Sequence, residues 1–146
     1  KRFKSSKSLI HYLVKAAGYN SNFLLNVGPM PNGKIQPEFM DTLKAVGKWM
    51  NEFGETIYGT RQGPVTPKSW GVTTQKDNRV FIHVLNAEDR NLFVPKLGQK
   101  IASVRLFHSK QPVIYSENKY GTIFEIPASI AGMPDIVLEV TLTGSR

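Results

Sequence analysis

One short apolar run constrains this chain more than any other feature. Residues 22–27 read Asn-Phe-Leu-Leu-Asn-Val and lead straight into Gly28-Pro29. The run is too short for a helix and too continuous for a strand with one wet face, so it reads as a strand buried on both faces, as in a parallel sheet. Helical patterns flank it. Upstream, Ser5, Ser6 and Ser8 are N-cap candidates, Leu9, Tyr12, Leu13, Ala16 and Ala17 recur at helical spacing, and Gly18 stands where a helix end favours positive φ. Downstream, Asn32-Gly33 is turn chemistry, Pro37 fits a first helical position, and Glu38 and Asp41 complement the helix dipole. Met40, Leu43, Val46 and Met50 then form an apolar stripe, widened by Phe39 and Trp49 and ended near Gly54. A single helix–strand–helix unit cannot bury a parallel strand on both sides. Residues 1–60 are therefore expected to complete a larger α/β sheet whose other strands lie outside this chain. A start at Lys1, with no signal-peptide pattern, fits the same expectation of a fragment.

The character changes after Thr60. Gln62-Gly63-Pro64 and Thr66-Pro67 punctuate a connector, and the rest is strand-like: residues 70–74, 79–85, 92–94, 101–107, 113–115, 121–126 and 136–142. Turn signals at 76–78, 86–91 and 131–134 separate them. In the second of these strands Val80, Ile82 and Val84 share one face, while Phe81, His83 and Leu85 share the other. Short strands at this spacing describe an antiparallel β-sandwich. The expected fold class is thus an α/β barrel fragment, the last helix–strand–helix of a (β/α) barrel at residues 1–60, followed by an antiparallel β-sandwich at residues 61–146.

Composition narrows the function classes. With no cysteine, neither disulfides nor thiolate metal sites are available, and no apolar run is long enough to span a bilayer. The formal net charge of +8 raises the question of nucleic acid. Through Pro37, however, Lys1, Arg2, Lys4, Lys7, Lys15 and Lys34 meet no acidic residue and supply most of the excess. A solvated basic helix start explains this, and no nucleic-acid-binding motif accompanies it. The three histidines, His11, His83 and His108, lack metal-ligand spacing, so neither a metal nor another cofactor is expected. His83 alternates with Phe81 and Leu85 and reads as a packed, hydrogen-bonded histidine. No Ser-His-Asp arrangement can be inferred from spacing.

The candidate site residue is Asn26, a polar group at the end of the apolar strand. Active sites of α/β barrels lie at the C-terminal strand ends, so Asn26 either lines a substrate pocket or caps loop amides. The capping role is favoured because buried polar groups normally satisfy backbone. Leu24-Leu25-Asn26-Val27-Gly28-Pro29, followed by Asn32-Gly33 and Pro37-Glu38, resembles the α-L-fucosidases of glycoside hydrolase family 29. Gly47-Lys48-Trp49-Met50 and Phe53-Gly54-Glu55-Thr56-Ile57-Tyr58-Gly59-Thr60 continue the likeness, with Phe53 in place of the family's Asn and Thr56 in place of its Ala. Residues 70–74 and 80–85 resemble the opening strands of that family's C-terminal β-sandwich. The likeness is specific through residue 85 and generic beyond it.

The resemblance implies a retaining, exo-acting hydrolase of terminal α-L-fucose on glycans or glycoconjugates, periplasmic or secreted, or lysosomal in a eukaryote. Such chemistry uses two carboxyl groups about 5–5.5 Å apart. The family's Asp nucleophile and acid/base would lie upstream, so the upstream barrel segment is the expected partner and this segment alone is expected to be inactive. Among local carboxylates, Glu52 and Glu55 could share a helix face, but Glu55 falls at the helix end away from the strand C-termini and reads as structural. Glu88-Asp89 reads as a solvated turn. The alternative function is a non-catalytic module, carbohydrate-binding or structural, in which Trp70, Tyr115 and Tyr120 either stack on sugars or fill the sandwich core. Core filling is favoured.

Overall fold

The computed structural model describes residues 6–19, 37–87, 90–127, 133 and 135–143. Two helices come first, α1 (Ser6–Gly18) and α2 (Pro37–Phe53), the latter running into a 3-10 turn at Gly54–Thr56. Eight strands follow: β1 (Arg61–Gln62), β2 (Gly71–Lys76), β3 (Arg79–Val84), β4 (Asn91–Pro95), β5 (Ile101–Leu106), β6 (Tyr115–Asn118), β7 (Gly121–Glu125) and β8 (Ile136–Leu142). They form one sheet in the order β1-β2-β3-β8-β5 and a second in the order β4-β7-β6, and every pairing is antiparallel. The chain crosses between sheets after β3, β4, β5 and β7, so the last strand inserts at the interior of the larger sheet. This is the antiparallel sandwich expected from the strand spacing. The predicted strand at 113–115 instead begins at Tyr115, and β1 carries no hydrophobic signal to announce it.

Strand alternation explains the layering. Val80, Ile82 and Val84 of β3 point into the core between the sheets, with Val94, Phe124, Leu138 and Val140. The β-branched members of this set, the valines and Ile82, suit a pleated, close-packed surface. Phe81 and Leu85 point the other way, into a second core with Ile10 and Val14 of α1, Trp49 and Phe53 of α2, and Phe107. The larger sheet is therefore covered on both faces, by the smaller sheet and by the helices. Its interior strand β8 accordingly reads Ile-Val-Leu-Glu-Val-Thr-Leu, almost continuously apolar. The buried face of α2 is centred on Val46, Trp49, Met50 and Phe53, whereas Met40 of the predicted stripe is exposed in this chain.

Two glycines permit close approaches, one between helix and sheet and one between neighbouring strands. A Cβ at Gly18 would run into the side chain of Val72 on β2, so the end of α1 reaches the sheet only without one. Gly71, at φ 154°, lies against the backbone carbonyl of His83, and a Cβ there would collide with that oxygen. The strand predicted at residues 22–27, with Asn26 and the Gly28–Gly33 loop, lies outside the described residues, as do Glu88 and Asp89.

Candidate functional site at the helix–sheet junction

The polar groups that the fold brings together lie where the end of α2 meets the helix-facing side of the larger sheet. Two chains of hydrogen bonds start from adjacent residues of the Gly54–Thr56 turn.

The first starts at Glu55. Its Oε2 accepts from Arg79 Nη2 at 2.6 Å, and Arg79 Nη1 donates to Glu139 Oε2 at 3.0 Å. Arg105 Nε donates to Glu139 Oε1 at 3.0 Å, and Lys110 Nζ stands 3.8 Å from the same oxygen. Strand register dictates this meeting, because Glu139 of β8 lies directly between Phe81 of β3 and Arg105 of β5. Only 1% of the Glu139 side chain is exposed. Burial by itself would raise its carboxyl, but the hydrogen bonds from Arg105 and Arg79, and the charges of Arg105 and Lys110, more than offset this and hold it below the ordinary value of 4.5. Arg79 is held above its ordinary value, first by the hydrogen bond to Glu55 and then by that to Glu139, against the opposing effect of burial.

The second chain starts at Thr56. The Thr74 hydroxyl on β2 donates to the Thr56 carbonyl at 2.7 Å, and the same oxygen lies 2.9 Å from Nε2 of His83 on β3. His83 Nδ1 lies 2.7 Å from Oδ2 of Asp135, just before β8. Thr56, Thr74, His83 and Asp135 are all fully buried. The Thr56 hydroxyl itself donates to the Phe53 carbonyl at 2.7 Å, closing the end of α2.

These arrangements decide what the described residues can do chemically. A hydroxyl–imidazole–carboxylate series has the connectivity of a nucleophilic triad. Here the hydroxyl is already committed to a carbonyl and no member reaches solvent, so the series is a structural tie. A retaining glycosidase needs one carboxylate free to attack and a second kept protonated as an acid. Glu55 and Glu139 share Arg79 between them, and Glu139 is buried and held ionised by its cations, so this pair suits neither role. The reading of Glu55 as structural fits its ion pair. His83 is the packed, hydrogen-bonded histidine expected from strand alternation.

The other candidates are separated. His11 sits half-buried on α1, and His108 is exposed with its ring stacked on Phe53, centroids 5.6 Å apart. Among the described residues no group of three or more His, Asp or Glu side chains is placed to hold a metal ion. Trp70 and Tyr115 pack against the core between the sheets, while Tyr120 is 68% exposed, so the three do not form one stacking surface. Sequence reasoning did not single out Arg79, Arg105, Asp135 or Glu139. The available signal was Glu139, one carboxylate inside an otherwise apolar strand.

Comparison with known proteins gives one consistent result. The family model described as Alpha-L-fucosidase matches residues 1–55. Tissue alpha-L-fucosidase of Bos taurus is 38% identical over 74 residues, covering 51% of this chain and 14% of that protein. Plasma alpha-L-fucosidase of Homo sapiens is 29% identical over 130 residues, covering 83% of this chain and 28% of that protein. Among solved structures, alpha-L-fucosidase isoenzyme 1 from Paenibacillus thiaminolyticus superposes with a TM-score of 0.85 at 29% identity, over 96% of this chain and 35% of that one. A GH29 alpha-L-fucosidase from Bacteroides thetaiotaomicron superposes with a TM-score of 0.87 over 100% of this chain and 34% of its own length, a likeness of fold at 23% identity. The chain thus spans about a third or less of the proteins it matches. By family model over residues 1–55, by curated relatives and by solved structures alike, it is similar to the C-terminal portion of longer α-L-fucosidases.

Proposed function

We propose that the protein containing this chain is a retaining, exo-acting α-L-fucosidase that hydrolyses terminal α-L-fucose from glycans or glycoconjugates. The carrying observation is the match to fucosidases across nearly the whole chain at 29% identity. In this reading the Asp nucleophile and the acid/base reside in the catalytic segment upstream, which is the chain's partner. Residues 1–60 close the barrel with its last helix, strand and helix, and residues 61–146 form a sandwich that braces it. The brace is favoured over a carbohydrate-binding module because Trp70 and Tyr115 are spent on the core and the helix end is tied into the sheet by two polar chains. No described helix is long and apolar enough to cross a membrane. We assign the enzyme to the periplasm or the exterior, or to the lysosome in a eukaryote.

An aryl α-L-fucoside assay tests the reading. The full-length protein turns the substrate over and the isolated 146-residue polypeptide does not. Turnover by the isolated chain at the intact enzyme's rate would place the chemistry within these residues and refute the assignment. Asn26 belongs to the same proposal, with the Gly28–Gly33 loop forming part of the pocket wall after the last barrel strand. Asn26→Ala in the intact enzyme is then expected to change kcat or KM with an unchanged melting temperature. A shift in melting temperature alone would leave Asn26 a purely structural role.

A further inference from the structure

The series from Thr56 to Asp135 can be read proton by proton. A threonine hydroxyl has one hydrogen, and a backbone carbonyl can only accept. Thr74 Oγ1 and the Thr56 oxygen are 2.7 Å apart, a separation two oxygens hold comfortably only with a proton between them. The Thr74 proton is therefore spent on Thr56. His83 Nε2 lies 2.9 Å from that same Oγ1 and must bring its own hydrogen to the contact. On the far side of the ring, Nδ1 and Asp135 Oδ2 at 2.7 Å share a further proton, whichever atom holds it. The His83–Asp135 pair thus carries one proton more than a neutral imidazole beside a carboxylate.

A second observation points the same way. Asp135 Oδ1 is buried and has no hydrogen-bond partner among the described residues. A full carboxylate charge with a bare buried oxygen is costly, and a proton shared from the ring reduces that cost. With the extra proton the buried pair is neutral overall, and without it the site would hold a net negative charge.

We infer that Thr74, His83 and Asp135 form a proton-loaded clamp that holds the end of α2 to the sheet, and that loss of the stored proton releases it. The direction follows from donor counting. An Nε2 stripped of hydrogen becomes an acceptor and competes for the single Thr74 proton. The Thr56 carbonyl then loses its donor inside a buried site, and the turn at Gly54–Thr56 loosens.

The surrounding charges form separate groups. Arg79, Glu139, Arg105, Lys110 and Glu55 face one another in the network already described. Across the face of His83 stand Val72 of β2 and Val137 of β8, its register partners. Of the helices packed over it, α1 carries Lys7 and Lys15, both exposed, and half-buried His11. The ionisable groups of described placement on α2, Asp41, Lys44, Lys48 and Glu52, are exposed, as is His108 after β5.

Nitrogen-resolved NMR of the full-length protein, selectively labelled at histidine, tests this. At neutral pH the Nε2 resonance of His83, assigned by its loss in His83→Gln, is expected to be of the protonated type with a slowly exchanging hydrogen. A non-protonated Nε2 at neutral pH would overturn the inference. Amide hydrogen exchange at Ile57 and Tyr58, both donors to the Gly54 carbonyl, reads the mechanical consequence. Thr74→Val is expected to raise their exchange about tenfold or more at neutral pH, the effect of stranding one buried acceptor, and Thr74→Ser is expected to restore protection. Equal exchange at Ile57 and Tyr58 in the unsubstituted protein and Thr74→Val would overturn the clamp. Neither readout is enzymatic, so the result stands or falls independently of the fucosidase assignment.

Discussion

Replacing Glu139 with Gln removes the one charge on which Arg79, Arg105 and Lys110 converge, with little change in volume. Stripping one partner from a buried ionic cluster costs about 3–5 kcal/mol when every member is buried. Here the carboxylate is buried, but Arg79 and Arg105 keep 29% and 46% of their side-chain exposure, so water takes up part of their lost partnership. The expected cost is about 2–3 kcal/mol, taking a charged hydrogen bond as worth about 1.5–3 kcal/mol. At 1.4 kcal/mol per factor of ten, amides of β3 and β8 in Glu139→Gln should exchange about 30- to 150-fold faster than in the parent protein. Acid provides the sharper check. Because the folded carboxyl sits below its ordinary value, its stabilisation is complete above the unfolded value of about 4.3 and is lost as pH falls through the folded value. Glutamine has no such proton to take up, so the gap between the two proteins should close in that window. A gap that is under about twofold at neutral pH, or that persists undiminished well below pH 4, would refute the network as a source of stability.

Two further outcomes follow from packing. Gly18→Ala should destabilise the helix–sheet contact by about 1–3 kcal/mol in urea denaturation, since the new methyl runs into the Cβ of Val72 as well as its methyls and a smaller residue at 72 would still carry that Cβ. A loss under about 0.5 kcal/mol would show the contact to be misassigned. Tyr120→Ala, on a largely exposed ring, should change stability by no more than about 0.5 kcal/mol and leave the affinity of the intact protein for fucosylated glycan unchanged in titration. A clear loss of affinity would favour the binding-module reading over the brace.

Much of the architecture was legible before any coordinates. Alternation in residues 79–85 assigned Val80, Ile82 and Val84 to one face and Phe81, His83 and Leu85 to the other, and the two faces lie in two different cores. Pro37 and Gly18 bound their helices where their backbone chemistry places them. The faces of α2 were less legible. Met40 is as apolar as Met50, and only contact with the sheet distinguishes the half of the stripe that is buried here.

The candidate site was far less legible. Asn26 could be named from its position in an apolar run, because a local pattern marks it. Thr74, His83 and Asp135 could not be grouped, nor could Glu55, Arg79, Arg105 and Glu139, since each set gathers residues from distant stretches of chain. The order of hydrophobic and polar residues along the chain determined which strands form and which face of each is dry, because that period is a property of consecutive residues. Which polar groups meet on a dry face depends on strand order and register. The insertion of β8 between β3 and β5 sets Glu139 between two arginines and brings Asp135 to His83. Register is a long-range choice among strands, made by packing the whole sheet at once, and only the tertiary structure records it.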